Sequence, residues 1–230
     1  MRRLAESDDL KRAAAERALE LVESGMLLGV GTGTTARHFI AGLARRAREG
    51  LRVRAVATSL ASAALVREAG IPVLEEVDTA VDLTVDGADE IDPDLNLVKG
   101  HGGALFREKL VASAATRFVV IADESKLVDR LGRSYVPVEV LPFLWKLTGR
   151  RLAELGAQWE LRGGPEMPYR TDNGNLILDL TFPAGVAEPQ RTAAEIKGLT
   201  GVLEHGLFLG LASSCVVAGP TGVRVLERGS

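Results

Sequence analysis

The sequence predicts an α/β fold, in which a mostly parallel sheet carries helices on both faces and a smaller α+β insert follows. Up to about residue 130, short apolar runs alternate with amphipathic stretches, a pattern typical of parallel strands joined by helical crossovers. The predicted strands are apolar throughout, as expected when both faces of a sheet are covered. After residue 130 prolines, a turn-rich stretch and strands of alternating polarity replace this pattern.

The first predicted element is a helix over residues 7–24, with Ser7 as its cap and Gly25 as its stop. The next predicted elements are strand 26–30, helix 34–49, strand 53–57, helix 60–69, strands 71–74 and 81–85, helix 104–115 and strand 118–122. Because these elements alternate along the chain, we expect a Rossmann-like, doubly covered sheet.

A smaller insert is predicted over residues 131–205. Its predicted elements are a helical stretch near 152–155, strands 158–161 and 176–182, and a helix over 193–199. The tail, 207–226, returns to strand-like runs and is expected to rejoin the first sheet. We therefore predict a catalytic α/β domain over 1–130 and 206–230, and an α+β insert over 131–205.

Composition narrows the class of protein. Of the 230 residues, 46% are hydrophobic and 26% charged, which is ordinary for a globular enzyme, and the net charge of −3 favours neither nucleic acid nor an anionic membrane as partner. We expect no signal peptide, since no apolar segment follows the basic first residues. The single cysteine, Cys215, fits a reducing, cytoplasmic setting.

A threonine-rich glycine turn, Gly31-Thr32-Gly33-Thr34-Thr35, follows the first predicted strand and opens a helix. Backbone N–H groups and hydroxyls at a helix start can bind an anion, whereas the alternative is a plain tight turn with a threonine cap. A dinucleotide fingerprint fits poorly, because Thr34 stands where the third glycine would fall and 53–59 contains no acidic residue.

Carboxylates cluster where the strand 81–85 ends, in the segment Val85-Asp86-Gly87-Ala88-Asp89-Glu90. Open α/β sheets bind ligands at the carboxyl ends of their strands. Paired carboxylates there can hold hydroxyl groups and pass protons between them, although a solvated loop or a helix cap is the alternative.

A second glycine loop, Lys99-Gly100-His101-Gly102-Gly103, leads into a helix that contains Glu108. Lys99 can neutralise an oxyanion or a phosphate, and Glu108 can act as a base; a surface lysine and an exposed helical glutamate are the alternatives. With three scattered histidines and one cysteine, no metal site is predicted. Together the motifs indicate proton-transfer chemistry on a small anionic substrate, with no cofactor.

Four motifs in order now identify a family. The chain resembles the A type of ribose-5-phosphate isomerase in four motifs: the threonine turn, Asp86–Glu90, Lys99–Lys109 and Asp123-Glu124-Ser125-Lys126. Two further segments, Thr171–Asn175 and Gly206–Phe208, resemble the same family. The resemblance implies metal-independent interconversion of ribose 5-phosphate and ribulose 5-phosphate in the pentose phosphate pathway. It also implies a homodimer or homotetramer and a lid-like second domain.

The resemblance implies a role for each matching residue. Glu108 is expected to move the proton between C2 and C1 through an enediolate, Asp86 to assist ring opening, and Asp89 and Lys99 to hold hydroxyls and stabilise the oxyanion. The expected substrate-binding residues are Thr32, Gly33, Thr34, Thr35, Asp86, Gly87, Ala88, Asp89, Lys99, Gly100, His101, Gly102, Lys126 and, as a weaker match, Lys11. His101 departs from the family, in which glycine is common there, and Thr34 stands where serine is frequent.

Two alternatives to an isomerase stay open. A non-catalytic sugar-phosphate sensor is expected to carry a DNA-binding helical module, for which a first helix near residue 8 leaves no room. A sugar-phosphate deaminase or acyl transferase on a similar sheet is the other, because a fold does not fix its chemistry.

Overall fold

The structure is a computed structural model that describes residues 2–228, with side chains from residue 7 onward. In chain order its elements are α1 (Arg2–Leu19), β1 (Leu27–Val30), α2 (Thr34–Arg48), β2 (Arg54–Ala57), α3 (Leu60–Glu68), β3 (Val81–Asp86), β4 (Glu90–Ile91), β5 (Leu97–Val98), α4 (Leu105–Ser113), β6 (Ala115–Asp123), β7 (Val136–Val140), α5 (Trp145–Ala153), β8 (Gln158–Leu161), β9 (Leu176–Thr181), α6 (Pro189–Lys197), β10 (Val202–His205), β11 (Leu207–Phe208), β12 (Ser214–Gly219) and β13 (Gly222–Glu227). A short 3-10 helix, Glu124–Lys126, follows β6.

The chain divides into two compact units. The first unit comprises the chain up to Ala88, Arg107–Lys126 and the chain from Leu211 onward, and the second comprises Asp89–Phe106 and Leu127–Gly210. The second unit therefore includes 89–106, a segment that the sequence analysis placed in the catalytic domain.

The first unit is built on a six-stranded sheet in the order β13-β12-β6-β3-β1-β2. All neighbouring strands are parallel except the hairpin of β12 and β13. Of the predicted tail, β12 and β13 thus join the first sheet as expected, whereas β11 belongs to a separate sheet. A mostly parallel sheet with helices and a separate antiparallel part confirms the predicted fold class.

Helices cover both faces of this sheet. Leu28 and Val85 lie in one core with Leu19 of α1 and Phe39 of α2. Side chains alternate between the faces of a strand, so the neighbours Gly29 and Thr84 face the other side. There a Cβ on Gly29 would lie 2.6 Å from Cγ1 of Val111, so α4 packs on that face. The central strands β1 and β3 are therefore covered on both sides.

The second unit contains two antiparallel sheets. One has the order β10-β7-β9-β8, with a core that includes Val138, Leu178, Leu152 and Ile196. The other is small, in the order β11-β5-β4. Its strands β4 and β5 were not predicted, because two residues are too few to show a sequence period.

Several predicted elements need correction. The first helix spans Arg2–Leu19 rather than residues 7–24. The segment 71–74 contributes only a bridge between Val73 and Ala55 instead of a strand. The strand β7 was missed, since Pro137 within it suggested a break. α5 and α6 begin earlier than predicted, at Trp145 and Pro189. Over the described residues, no helix is both long and apolar enough to cross a bilayer.

Candidate active site

The threonine turn lies at the carboxyl edge of the first unit's sheet. β1 ends at Val30 and α2 begins at Thr34, with Gly33 as its N-cap at a φ of 112°, a value that favours glycine. The Gly31 N–H donates to the carbonyl of Val85 at 2.9 Å. This bond joins the turn to the end of β3, the neighbouring strand.

Asp86, the last residue of β3, is fixed against this turn. Its side chain is buried, and its Oδ1 accepts hydrogen bonds from the backbone N–H of Thr32 (3.1 Å) and of Gly87 (2.7 Å). A Cβ on Gly31 would lie 2.0 Å from that same oxygen. Glycine at 31 therefore permits the approach, and the structure brings Asp86 and the turn together.

The hydroxyl of Thr32 belongs to a cluster that the sequence analysis missed. Its Oγ1 lies 2.8 Å from Oγ1 of Thr58, 2.8 Å from Oγ of Ser59 and 3.3 Å from Oγ of Ser62. Ser59 and Ser62 also form the capping box of α3. Thr58 and Ser59 directly follow β2, and that position, next to β1 at the same edge, was the signal that could have revealed them.

Glu108 is buried in the first turn of α4. Val111 of the same helix packs on Gly29, and its carbonyl accepts a hydrogen bond from the Thr84 hydroxyl at 3.5 Å. Residues three apart share a helix face. α4 leads to β6, which is parallel to β3, so its N-terminal turn lies nearer the carboxyl edge. Glu108 thus lies in the turn of α4 that is nearer the edge at which Asp86 ends its strand.

The two predicted lysines of the first unit lie on separate elements. Lys126 ends the 3-10 helix after β6, where the Asp123 carboxylate accepts a hydrogen bond from the Ser125 N–H (3.0 Å). Lys11 lies in α1, which contacts β6 and β12. Both lysines are half-buried. Within the described part of the chain, no hydrogen bond joins either one to the threonine turn.

The second unit holds Asp89 and Lys99 around its small sheet. The Asp89 N–H donates to the Val98 carbonyl (2.8 Å), and the Lys99 N–H to the Gly206 carbonyl (2.9 Å). Lys99 is buried, with its ammonium 5.6 Å from the centre of the Phe208 ring. The antiparallel pairing of β4, β5 and β11 thus fixes the backbone of both residues.

The glycine loop that follows Lys99 is a tight turn. The Gly103 N–H donates to the Gly100 carbonyl at 2.9 Å, and Gly100 has a φ of 103°. The His101 N–H donates to Oδ2 of Asp89 at 3.0 Å, while the imidazole stacks on Tyr135 with 4.0 Å between ring centres. The loop therefore brings Asp89 and His101 together, and the histidine that departs from the family pattern packs on an aromatic ring.

Glu90 has a structural role, which corrects its grouping with the acid–base carboxylates. It is buried, and it accepts hydrogen bonds from the backbone N–H groups of Gly132 (2.7 Å) and Ser134 (2.6 Å) and from the Ser134 hydroxyl (2.6 Å). Those donors come from a loop more than forty positions away. Glu90 holds that loop rather than a substrate.

The comparison with protein families decides the relationship. Residues 54–222 match the family described as Ribose 5-phosphate isomerase A (phosphoriboisomerase A). The chain belongs to the ribose 5-phosphate isomerase A family. The family inferred from the ordered motifs is therefore confirmed.

Individual members of the isomerase A family match the chain over nearly its whole length. The Ribose-5-phosphate isomerase A of Nitrobacter hamburgensis is 50% identical over 230 residues, which cover 96% of this chain and 98% of the relative. That of Roseiflexus castenholzii is 53% identical over 223 residues, 94% of each chain.

Solved structures of the isomerase A family share the fold. A D-ribose-5-phosphate isomerase in complex with phospho-erythronic acid is 41% identical, with a TM-score of 0.92 and coverage of 96% of this chain and 99% of that one. The ribose 5-phosphate isomerase A of Neisseria gonorrhoeae is 39% identical, with a TM-score of 0.90 and coverage of 97% and 98%.

Another motif of the isomerase A family, Thr171–Asn175, is held by a residue that the sequence analysis missed. One oxygen of the buried Glu139 accepts hydrogen bonds from the Thr171 hydroxyl (2.9 Å) and from the side-chain amides of Asn173 (3.1 Å) and Asn175 (2.8 Å). Glu139 lies on β7, the strand that was not predicted. The motif has a structural role in the second unit.

The predicted site residues thus fall into two sets. Thr32 and Asp86 meet in the first unit, which also holds Glu108, whereas Asp89 and Lys99 share the small sheet of the second unit. Among the described residues, no group of three or more His, Cys, Asp and Glu side chains is arranged to hold a metal ion. The joint action of Glu108 and Lys99 on one substrate stays a prediction.

Proposed function

We propose that the protein interconverts D-ribose 5-phosphate and D-ribulose 5-phosphate by proton transfer through an enediolate. The observation that carries the proposal is the buried Glu108 in the first turn of α4, in a chain of the isomerase A family whose Asp86 is fixed against the threonine turn. Aldose–ketose isomerisation moves one proton between adjacent carbons, and a fixed carboxylate can carry it.

The reaction needs a base for the carbon-bound proton, a group that stabilises the negative oxygen of the enediolate, and a site that binds the phosphate. Glu108 takes the C2 proton of the open-chain aldose and returns it to C1, while Asp86 assists ring opening and the proton transfer between hydroxyls. Lys99 and Asp89 hold the hydroxyls, and the Lys99 ammonium stabilises the negative oxygen of the enediolate. Each proton removed is returned, so the step consumes no co-reactant.

We assign the phosphate to the threonine turn. The backbone N–H groups of residues 33–35 lie at the N-terminus of α2, and a helix N-terminus favours a bound anion. The hydroxyls of Thr34 and Thr35 add hydrogen-bond donors. Lys126 and Lys11 supply positive charge. Gly87, Ala88, Gly100, His101 and Gly102 complete the proposed substrate contacts. Binding the remote phosphate holds the reacting carbons in place.

A structural relative supports the enediolate step. That relative is described in complex with phospho-erythronic acid, a phosphorylated acid with one carbon fewer than the pentose phosphates. Its planar carboxylate resembles the planar, negatively charged enediolate, and a site complementary to a transition state binds such analogues tightly.

Three further properties belong to the proposal. The protein acts in the non-oxidative branch of the pentose phosphate pathway, in the cytoplasm, which suits a chain with one cysteine. It assembles as a homodimer or homotetramer. Light scattering is expected to give two or four times the chain mass of 24.5 kDa.

The test of the proposal is turnover of ribose 5-phosphate by the wild type and by Glu108→Gln. We expect the amide, which cannot accept the proton, to lower kcat by roughly 10³-fold with little change in KM. Glu76→Gln, an exposed glutamate, is the control and is expected to match the wild type. Near-normal kcat in Glu108→Gln would rule out this base, and an inactive wild type that still binds the sugar phosphate would favour a sensor.

Comparison of free ribose with ribose 5-phosphate tests the anchor. The phosphorylated sugar is expected to have the higher kcat/KM by at least about 10²-fold, because remote binding energy positions the reacting carbons. Equal values for the two sugars would contradict the assignment of the turn to phosphate.

A further inference from the structure

We propose that Arg162 is a positioning residue for the glycine loop 99–102, and that it acts on the loop through two backbone carbonyls. The inference rests on the proposed function, in which Lys99 and this loop stabilise the enediolate. Neither the motifs nor the family resemblance assigned a role to Arg162.

The guanidinium of Arg162 joins the loop to a strand of the second unit's larger sheet. Its Nη1 donates hydrogen bonds to the carbonyls of Gly100 (3.0 Å) and His101 (3.1 Å). Its Nε and Nη2 donate to the two carboxylate oxygens of Asp179, at 2.9 and 2.5 Å. Arg162 thus uses both edges of its planar fork, which a lysine cannot do.

Asp179, the carboxylate partner of Arg162, lies within the second unit's larger sheet. Asp179 lies on β9, paired with Pro137 of β7 on one side and Glu160 of β8 on the other. The Arg162 N–H donates to the carbonyl of Ile177 on the same strand (3.0 Å). The side chains of Arg162 and Asp179 are 14% and 17% exposed, so the ion pair is shielded from solvent.

Aromatic rings enclose the guanidinium. Its central carbon lies 5.6 Å from the centre of the Tyr135 ring and 5.9 Å from that of Tyr169, both within cation–π range. The Tyr135 ring also stacks on His101 of the loop. Arg162 therefore has little freedom to move away from the two carbonyls.

The consequence for the loop follows from peptide geometry. The described chain has no cis peptide bonds, and in a trans peptide the N–H points opposite to the C=O. With the carbonyls of Gly100 and His101 drawn toward Arg162, the N–H groups of His101 and Gly102 point to the other side of the loop. The His101 N–H donates there to Asp89, and we assign the Gly102 N–H to the negative oxygen of the enediolate.

The decisive variant is Arg162→Lys, which keeps the positive charge but loses the fork. We expect kcat to fall by about 10²-fold while KM changes by less than about threefold, because a shift of about 1 Å in a catalytic group acts on the transition state. Asp179→Asn keeps Arg162 and removes the charge that orients it, so kcat is expected to fall in the same direction.

The matched control is Arg45→Lys. Arg45 also makes a two-pronged ion pair, to Glu16 at 3.1 and 2.7 Å, but on the surface of the first unit. We expect its kcat and KM to equal those of the wild type. Circular dichroism and thermal unfolding establish that each variant is folded at the assay temperature.

A second readout separates positioning from general stability. Phospho-erythronic acid carries its charge where the enediolate does, so its inhibition constant is expected to rise in Arg162→Lys in parallel with the fall in kcat, whereas KM for ribose 5-phosphate stays nearly constant. Two results would overturn the proposal. One is a wild-type kcat in folded Arg162→Lys. The other is that KM, kcat and the inhibition constant all change by the same factor in the Arg162 and Asp179 variants.

The same series distinguishes this inference from the proposed function. If the wild type turns over ribose 5-phosphate and Arg162→Lys does so equally well, the inference alone fails. If the wild type is inactive, the isomerase proposal fails, and NMR chemical shifts of the His101 and Gly102 amides then test the positioning role. Those shifts must move in Arg162→Lys and stay unchanged in Arg45→Lys.

Discussion

Single residues decide the local geometry of the first unit, and Gly31 is the clearest case. Any side chain there would overlap Asp86, since a Cβ would lie 2.0 Å from its carboxylate oxygen and 2.6 Å from its Cα. The Cα cannot rotate away as the end of a flexible side chain can. The bond between Asp86 and the N–H of Thr32 therefore depends on glycine at position 31.

Gly31→Ala is expected to lower the free energy of unfolding by about 1–3 kcal/mol, because overpacking forces the backbone to shift. Activity is expected to fall with it, since Asp86 moves from the turn. Urea unfolding measures the change. Gly198→Ala is the control, as Gly198 has a φ of −71° that alanine adopts readily, and a loss in Gly31→Ala no larger than in this control contradicts the reasoning.

The two tyrosines of the chain, Tyr135 and Tyr169, both lie beside Arg162. Burial raises the pKa of each phenol above its ordinary value of 10.0, the neighbouring Arg162 guanidinium partly lowers it, and nearby carboxylates such as Asp179 and Asp172 raise it again. The fold thus favours the neutral phenols.

These pKa shifts set a pH dependence. A phenol with a raised folded pKa stabilises the fold below the unfolded pKa of about 10, and that stability is lost as pH rises through the folded pKa. We expect the unfolding free energy to fall more steeply above pH 10 in the wild type than in a Tyr135→Phe/Tyr169→Phe double variant. Absorbance titration of tyrosinate gives both pKa values; ordinary values, or equal slopes, would contradict the prediction.

At the scale of elements, β7 shows how one strand organises a loop distant in sequence. Its Glu139 accepts three side-chain hydrogen bonds from Thr171, Asn173 and Asn175, between β8 and β9. The loop's own turn bonds, such as the Gly174 N–H to the Thr171 carbonyl at 2.9 Å, complete it. The buried carboxylate and the loop stabilise one another.

Glu139→Ala is expected to lower the free energy of unfolding by roughly 2–4 kcal/mol, because the buried Thr171 hydroxyl and two side-chain amides lose a charged acceptor. Glu160→Ala, on the neighbouring strand β8 and exposed, is expected to stay within about 0.5 kcal/mol of the wild type. Denaturant unfolding of both variants makes the comparison, and equal effects would show that the hydrogen bonds to Glu139 contribute little.

At the scale of the whole molecule, the proposed chemistry uses only the chain's own acids, bases and amides. In the proposed mechanism Glu108 moves the proton, and Lys99 and the Gly102 N–H stabilise the charge, so the proposed step calls for no divalent ion. The protein is therefore expected to work without metal.

Exhaustive dialysis against EDTA is expected to leave kcat and KM for ribose 5-phosphate unchanged. Elemental analysis of the dialysed protein shows whether metal has been removed. If dialysis abolishes activity and added divalent cations restore it, the metal-independent mechanism is contradicted. If the cations do not restore the activity, the treatment has damaged the protein.

The fold class and the positions of the motifs were predictable because their signals are local. Apolar runs of strand length and the threonine turn of 31–35 depend on neighbours in the sequence, and β1, β3 and β8 lie close to where they were expected. Where local signals conflicted, as at Pro137 within β7, or were too short, as in β4 and β5, prediction failed.

The sequence by itself determined the α/β class, the family and the segments that carry the candidate chemistry. Each of these depends on patterns and motifs formed by residues that are close together in the chain. Only the tertiary structure decided which of those carboxylates hold loops, as Glu90 does, and which distant residues support the site. Arg162 contacts Gly100 across 62 positions and Thr32 meets Thr58 across 26. Such contacts arise from packing, and no local period or spacing specifies them.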